Sequence, residues 1–161
     1  LLGRETAFVD AATAAGVPVT ATHTGPTSYR TGLTAVRELM RSPEPPDGIF
    51  CVTDLLALGV MDGARHEFGL RIPDDLSVVG FDDIEPAGWA SYDLTTFHQP
   101  MDEITARVAE LVESASPGSG GSTSIQPVPI RRGSVRPAPS RSVTSPVSRS
   151  KRKSREGASP A

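Results

Sequence analysis

The chain has little of what staples or arms many proteins: one cysteine, one tryptophan, two tyrosines and three histidines in 161 residues. With Cys51 alone no internal disulfide can form, and a reducing, cytoplasmic setting is the expectation. His23, His66 and His98 stand at no ligand-like spacing from one another or from Cys51, so neither a metal nor a cofactor is expected. No run approaches the roughly 20 apolar residues that span a bilayer, and no basic-apolar-small leader opens the chain. The motifs GxSxG, GxxxxGK[ST] and GxGxxG are all missing, and nothing pairs a nucleophile with a base. An enzyme is not expected. The chain opens on Leu1, already inside an amphipathic pattern, and further sequence upstream is expected.

The charge is unevenly spread. Residues 1–113 carry 18 acidic and 7 basic side chains, residues 114–161 carry 1 and 9, so the formal net charge of −3 hides two opposite halves. The second part holds 13 serines and no aromatic residue, a composition that cannot bury enough apolar surface to offset the entropy of ordering. It reads as a flexible linker over 114–124, a possible final strand over 125–137 and a disordered basic Ser/Pro/Arg-rich tail over 138–161. The tail reads either as a solvated end or as a direct nucleic-acid binder acting by phosphate neutralisation. It has no aromatics to stack on bases.

Residues 2–15 place Thr6, Phe8, Val9, Ala12 and Ala15 at spacings of three and four, a helix stopped by Gly16. Residues 17–22 (VPVTAT) are short and β-branched and predict a strand. Helical spacing returns over 31–40, 54–68 and 101–112. Residues 48–53 (GIFCVT) and 76–81 (LSVVGF) are continuous apolar runs, and an edge strand is predicted within 125–135, where Pro127 and Pro129 would each remove a ladder donor. Strands apolar on both faces, alternating with helices, imply an α/β fold: a parallel sheet with helices on both faces.

Ligands of such sheets bind outside the carboxyl ends of the strands. The polar residues directly after the apolar runs are Thr24 and Thr27, Thr53 and Asp54, and Asp82 and Asp83, which together form a candidate site. Asp82 reads either as an acceptor for ligand hydroxyls or ring N–H groups, or as a turn aspartate bonding its own backbone. Thr53 and Asp54 read as helix N-caps before they read as ligand contacts. Arg4 opposes the dipole of the first helix unless a polar ligand or anion faces it; otherwise it is a solvated arginine.

The blocks PPDGIFCVTDLLALGVMDGARHEFGLRIPDDLSVVGFDDIE and LTTFHQPMDEI resemble the effector-binding domain of LacI/GalR-type transcription regulators, in the family's order and spacing. GRETAF and VPIRRGSVRPAP extend the resemblance more weakly to about 1–139. It implies a periplasmic-binding-protein-like fold of type I, incomplete here: residues 1–90 mostly form the second subdomain, and 94–113 cross back to the first. On the same ground Arg4 and Asp82 fall on the family's effector-binding arginine and aspartate. Thr53 stands where sugar sensors often have asparagine, and Thr27 about where many members have a stacking aromatic. Leu58, Met61 and Trp89 fall near the face through which such regulators form homodimers, although Leu58 and Met61 also read as helix core.

The resemblance implies a ligand-sensing domain for a small polar metabolite such as a sugar. It implies contact with DNA only through an N-terminal headpiece that this chain lacks, and no membrane partner. The alternatives are a sugar-binding protein of a transport system with the same fold, or an inactive truncated fragment.

Overall fold

The computed structural model describes residues 2–22, 25–114 and 124–137. His23, Thr24, nearly all of the expected linker and the tail beyond 137 lie outside the described residues.

Helix α1 (Leu2–Ala14) forms where predicted. The strand predicted over residues 17–22 does not: they run without a ladder partner. Val17 is exposed, Pro18 withholds a donor, and a β-branched composition makes a strand only when an edge is there to pair with.

Helix α2 (Tyr29–Met40) starts two residues ahead of the predicted onset, because Ser28 caps it: the Thr31 N–H donates to Ser28 Oγ at 3.1 Å. Helix α3 (Asp54–Phe68) has the predicted bounds. Thr53 is its cap, accepting from the Leu56 N–H at 3.5 Å, and Gly69 at φ 64° ends it in the left-handed conformation that glycine adopts without penalty. Asp54 is therefore not the cap. It is the first helical residue, fully buried, and its carboxylate reaches across to other elements.

Helices α2 and α3 meet backbone to backbone. Gly32 and Gly59 are buried at the crossing, and a Cβ on either would lie inside the contact radius of the Leu56 or Tyr29 carbonyl oxygen of the opposite helix. The inner face of α3 then joins Val36, Leu76, Val78 and Leu94 in one core. Leu58 and Met61 belong to that core, with 5% and 0% exposure, so neither stands on the outward face that an interface role requires. The helical period turns them inward with Ala57 and Ala64. Trp89 alone of the three is at the surface, 51% exposed.

Strand β1 (Gly48–Phe50) pairs parallel with β2 (Ser77–Val79), Ile49 opposite Val78. Past β2 the chain runs parallel beside β3 (Thr96–His98): Gly80 N–H donates to Thr95 O and Asp82 N–H to Phe97 O, both at 3.0 Å. Strand β4 (Val128–Ile130) pairs antiparallel with β3, Pro129 opposite Phe97. The sheet is thus mixed rather than wholly parallel, and its reversed last strand is an edge, where a proline's missing donor is tolerated.

Beyond β4 the chain becomes a strap across the start of β2 and β3. Ser134 is buried; its carbonyl accepts from Val78 N–H at 2.9 Å, its hydroxyl donates to Val78 O at 2.6 Å and accepts from Thr95 N–H at 2.8 Å. Helix α4 (Met101–Glu113) contrasts with all of this, since none of its residues is buried.

Candidate functional site: a polar wall at the strand ends

The carboxyl end of β2 delivers Phe81, Asp82 and Asp83, and the start of α1 brings Arg4 against them. Arg4 Nη1 donates to Val52 O at 2.8 Å and to Asp82 Oδ1 at 3.0 Å, while its guanidinium carbon lies 3.9 Å from the centre of the Phe81 ring. A cation in the first turn of a helix is disfavoured by the helix dipole; a carbonyl, a carboxylate and an aromatic face offset that here. Phe81 itself stacks on Phe97 of β3, with centroids 5.5 Å apart. The sequence thus places an arginine and an aspartate 78 positions apart into one contact.

Asp82 has a second partner, Gln99, whose Nε2 donates to Oδ1 at 2.7 Å. Both bonds fall on one oxygen, and among the described residues Oδ2 accepts none. The Arg4 and Asp82 side chains are each 24% exposed, which limits their pairing to roughly 0–1 kcal/mol of stability. That pair can therefore be rearranged cheaply. Arg4, Phe81, Gln99, Pro100, Ile104, Ile125 and Pro127 line an open cavity of about 150 Å³. Ligand pockets run to roughly 300–1,000 Å³, so this cavity by itself is smaller than a ligand pocket.

The loop that carries Asp82 is held in an unusual conformation. Asp82 has φ 125° and Asp83 φ 57°, both in the region that favours glycine, at a cost on the order of 1–3 kcal/mol each. Several bonds hold it there. Asp83 Oδ1 accepts from Arg132 Nη2 at 2.8 Å and its Oδ2 lies 3.1 Å from His98 Nδ1. The next residue, Ile84, donates its N–H to Asp54 Oδ2 at 3.0 Å. Asp54 Oδ1 also accepts from the buried Thr96 hydroxyl at 2.5 Å. Burial pushes the Asp54 carboxyl above the ordinary carboxylate range, and the bonds from Thr96 and Ile84 oppose that rise. Beside it, burial and the Asp54 charge push the Cys51 thiol up to about 12, so Cys51 stays a neutral core residue.

Of the candidate residues, Arg4 and Asp82 come together. Thr53 is buried as the cap of α3, and Thr27 stands on the exposed bend before α2. No hydrogen bond joins either to Arg4 or Asp82 among the described residues, and Thr24 lies outside them. Three residues of the wall escaped the sequence reading: Gln99, Arg132 and Asp54 in its bridging role. Gln99 follows the end of β3 directly, as Asp82 follows the apolar run of β2, but the polar His98 before it hides that place from an apolar-run reading.

The model of the periplasmic binding protein-like domain family matches residues 2–135. Over 118 residues the chain is 35% identical to the HTH-type transcriptional repressor CytR of Escherichia coli (strain K12), an alignment covering 71% of this chain and 34% of that protein. Over 81 residues it is 40% identical to the ribose operon repressor of the same organism, covering 50% and 24%. Among solved structures it resembles a LacI-family transcriptional regulatory protein from Corynebacterium glutamicum, with a TM-score of 0.63 and 29% identity, covering 76% of this chain and 48% of that one. The chain matches about a third of the length of the first repressor and about half of the solved regulator. The chain belongs to the family of periplasmic binding protein-like domains, and its likeness within that family is to LacI-type transcription regulators.

Proposed function

We propose that the chain is the ligand-sensing part of a cytoplasmic LacI-type transcription regulator, with residues 1–90 as one wall of a cleft for a small polar metabolite of the sugar class. The observation that carries this is the Arg4–Asp82 pair at the carboxyl edge of the sheet, beside an open cavity and bonded through a single carboxylate oxygen. A ligand hydroxyl can donate to Oδ2, while Arg4 turns toward a ligand oxygen at little cost in stability. Thr27, on the exposed bend before α2, stands as an outer contact, whereas Thr53 is buried as the cap of α3. The expected crossing segment 94–113 divides: Leu94 lies in the core of the first wall and residues 95–98 pair beside β2. The second wall therefore belongs with α4 alone, whose unburied apolar side chains Val108 and Val112 suit a helix packed in another subdomain. Ligand binding shifts the closure of the two walls, and with it the binding of DNA, only insofar as the two states differ in affinity.

A thermal-shift panel of pentoses, hexoses, polyols and nucleosides on the intact protein tests this reading. A sugar is expected to raise the melting temperature and to change DNA binding. Asp82→Ala is expected to weaken that binding at least tenfold, the loss of one or two hydrogen bonds to a charged group, with folding retained. Undiminished affinity in Asp82→Ala removes Asp82 from the site, and binding with no effect on DNA points to a transport protein instead.

The intact protein is expected to form a homodimer, and Trp89 is the one proposed interface residue at the surface. Beside it Tyr92 and Tyr29 both donate to Asp62 Oδ2, at 2.9 and 2.7 Å. Sedimentation of Trp89→Asp should show a loss of dimer; an unchanged dimer places the interface elsewhere.

A further inference from the structure

We infer that Arg132 is a positioning residue for the candidate site: it holds the strained Asp82–Asp83 turn in the conformation that aims the Asp82 carboxylate at Arg4 and Gln99. The geometry stands on its own, and the consequence for ligand affinity rests on the proposed function.

Arg132 is itself firmly placed. Its N–H donates to Thr95 Oγ1 and its carbonyl accepts from the same hydroxyl, both at 3.0 Å, so one threonine clamps its backbone from both sides. Its planar fork then bridges two targets: Nη1 donates to Leu94 O at 2.9 Å and Nη2 to Asp83 Oδ1 at 2.8 Å. The Arg132 and Asp83 side chains are only 21% and 19% exposed. A lysine has one point charge and cannot span both acceptors in one plane.

The turn needs such an anchor. Two consecutive non-glycine residues at φ 125° and 57° return to ordinary backbone angles unless surrounding bonds hold them. Asp83 has no other guanidinium partner among the described residues; His98 Nδ1, on an exposed ring, is its second contact. Freed of Arg132, Asp83 keeps one side-chain contact, His98. The turn is otherwise held by its neighbours, through the Asp54 bond to the Ile84 N–H and the bonds of Arg4 and Gln99 to Asp82. Rotation at Asp83 then moves the carboxylate of the residue before it away from Arg4. Arg132 is thereby the residue through which the strap after β4 reaches the Asp82–Asp83 turn itself, 49 positions from the aspartate it holds.

Urea unfolding of the full chain tests this without any ligand. Arg4→Met, Asp82→Asn and the double variant give the coupling between Arg4 and Asp82 as a factor in the unfolding equilibrium constant. With Arg132 present the coupling is expected to be about threefold, within the range of partly exposed pairs. In the Arg132→Met background it should collapse to about one, and Arg132→Lys should restore part of it. A coupling that persists in Arg132→Met while overall stability falls makes Arg132 merely structural and overturns the proposal, as does a coupling near one with Arg132 in place. Should Arg132→Met not fold, Asp83→Asn serves as the background, with the same two outcomes. Because no ligand enters, failure here leaves the sensing function standing, and failure of Asp82→Ala to weaken ligand binding leaves this coupling standing.

Discussion

Replacing Gly59 by alanine is expected to destabilise the protein by about 3 kcal/mol, although alanine is the better helix former by about 1 kcal/mol. The sign follows from the α2–α3 crossing. The added methyl would overlap the Tyr29 carbonyl oxygen, a backbone atom in the first turn of a packed helix, which cannot swing aside as a side chain can. Relief requires the two helices to separate, and that opens the core at Val36 and Met61, both fully buried. Gly32→Ala should behave alike, since its methyl meets the Leu56 carbonyl. Gly3→Ala in α1 is the control: beyond its chain neighbours and its own helix backbone, nothing lies within 4 Å of the position its Cβ would take. There the propensity gain is unopposed, and a stabilisation of about 0.5 kcal/mol is expected. Chemical denaturation of the three variants settles the contrast by sign alone.

Asp54→Ala should cost a similar amount, about 3 kcal/mol, for an electrostatic reason. The carboxylate is fully buried and serves two donors, the Thr96 hydroxyl and the Ile84 N–H. Removing it leaves both unsatisfied away from water, at roughly 1–3 kcal/mol each. Asp54→Asn keeps one acceptor oxygen and should lose about half as much. The pH dependence separates the charge from the bonds. Burial raises the folded-state pKa above the ordinary 3.8, so this group favours folding most at pH below 3.8. That contribution is lost as pH rises through the folded value. The uncharged amide has no such loss, so the deficit of Asp54→Asn relative to the parent should narrow as pH rises above 3.8. A deficit that widens instead would mean that the bonds from Thr96 and Ile84 outweigh burial.

These two positions also mark how far the sequence was legible. Helix α3 could be read to its last residue, because Thr53 and Gly69 act on the backbone within one turn of themselves. The segment 17–22 could not, because a strand is a property of a pair and the composition of one segment says nothing of whether an edge lies beside it. Arg4 and Asp82 are legible as separate candidates, Asp82 from the rule of strand ends, Arg4 from the helix dipole and both from the resemblance, but their mutual contact across 78 positions is not. From sequence Asp54 reads as a cap, because aspartate before an apolar stretch usually is one. Its actual partners are 30 and 42 positions away, beyond any local pattern. Leu58 and Met61 show the same limit from the other side: helical spacing groups them on one face and leaves open whether that face meets core or partner.

The buried Ser134 has a consequence for synthesis. Its hydroxyl closes onto Val78, 56 positions earlier, and the same residue bonds Thr95 between the two. On the ribosome, β2 and the stretch before β3 therefore emerge with their polar groups facing water long before the strap that satisfies them. Sequence-distant closures of this kind are slow compared with helix formation, so α2 and α3 can dock while the sheet is still open on that side. Arg132 travels with Ser134, two residues apart. The turn that carries Asp82 is accordingly among the last parts of the domain to acquire its shape, and a nascent chain stalled before residue 132 would hold a paired α2–α3 core beside an Asp82 turn that is still unset.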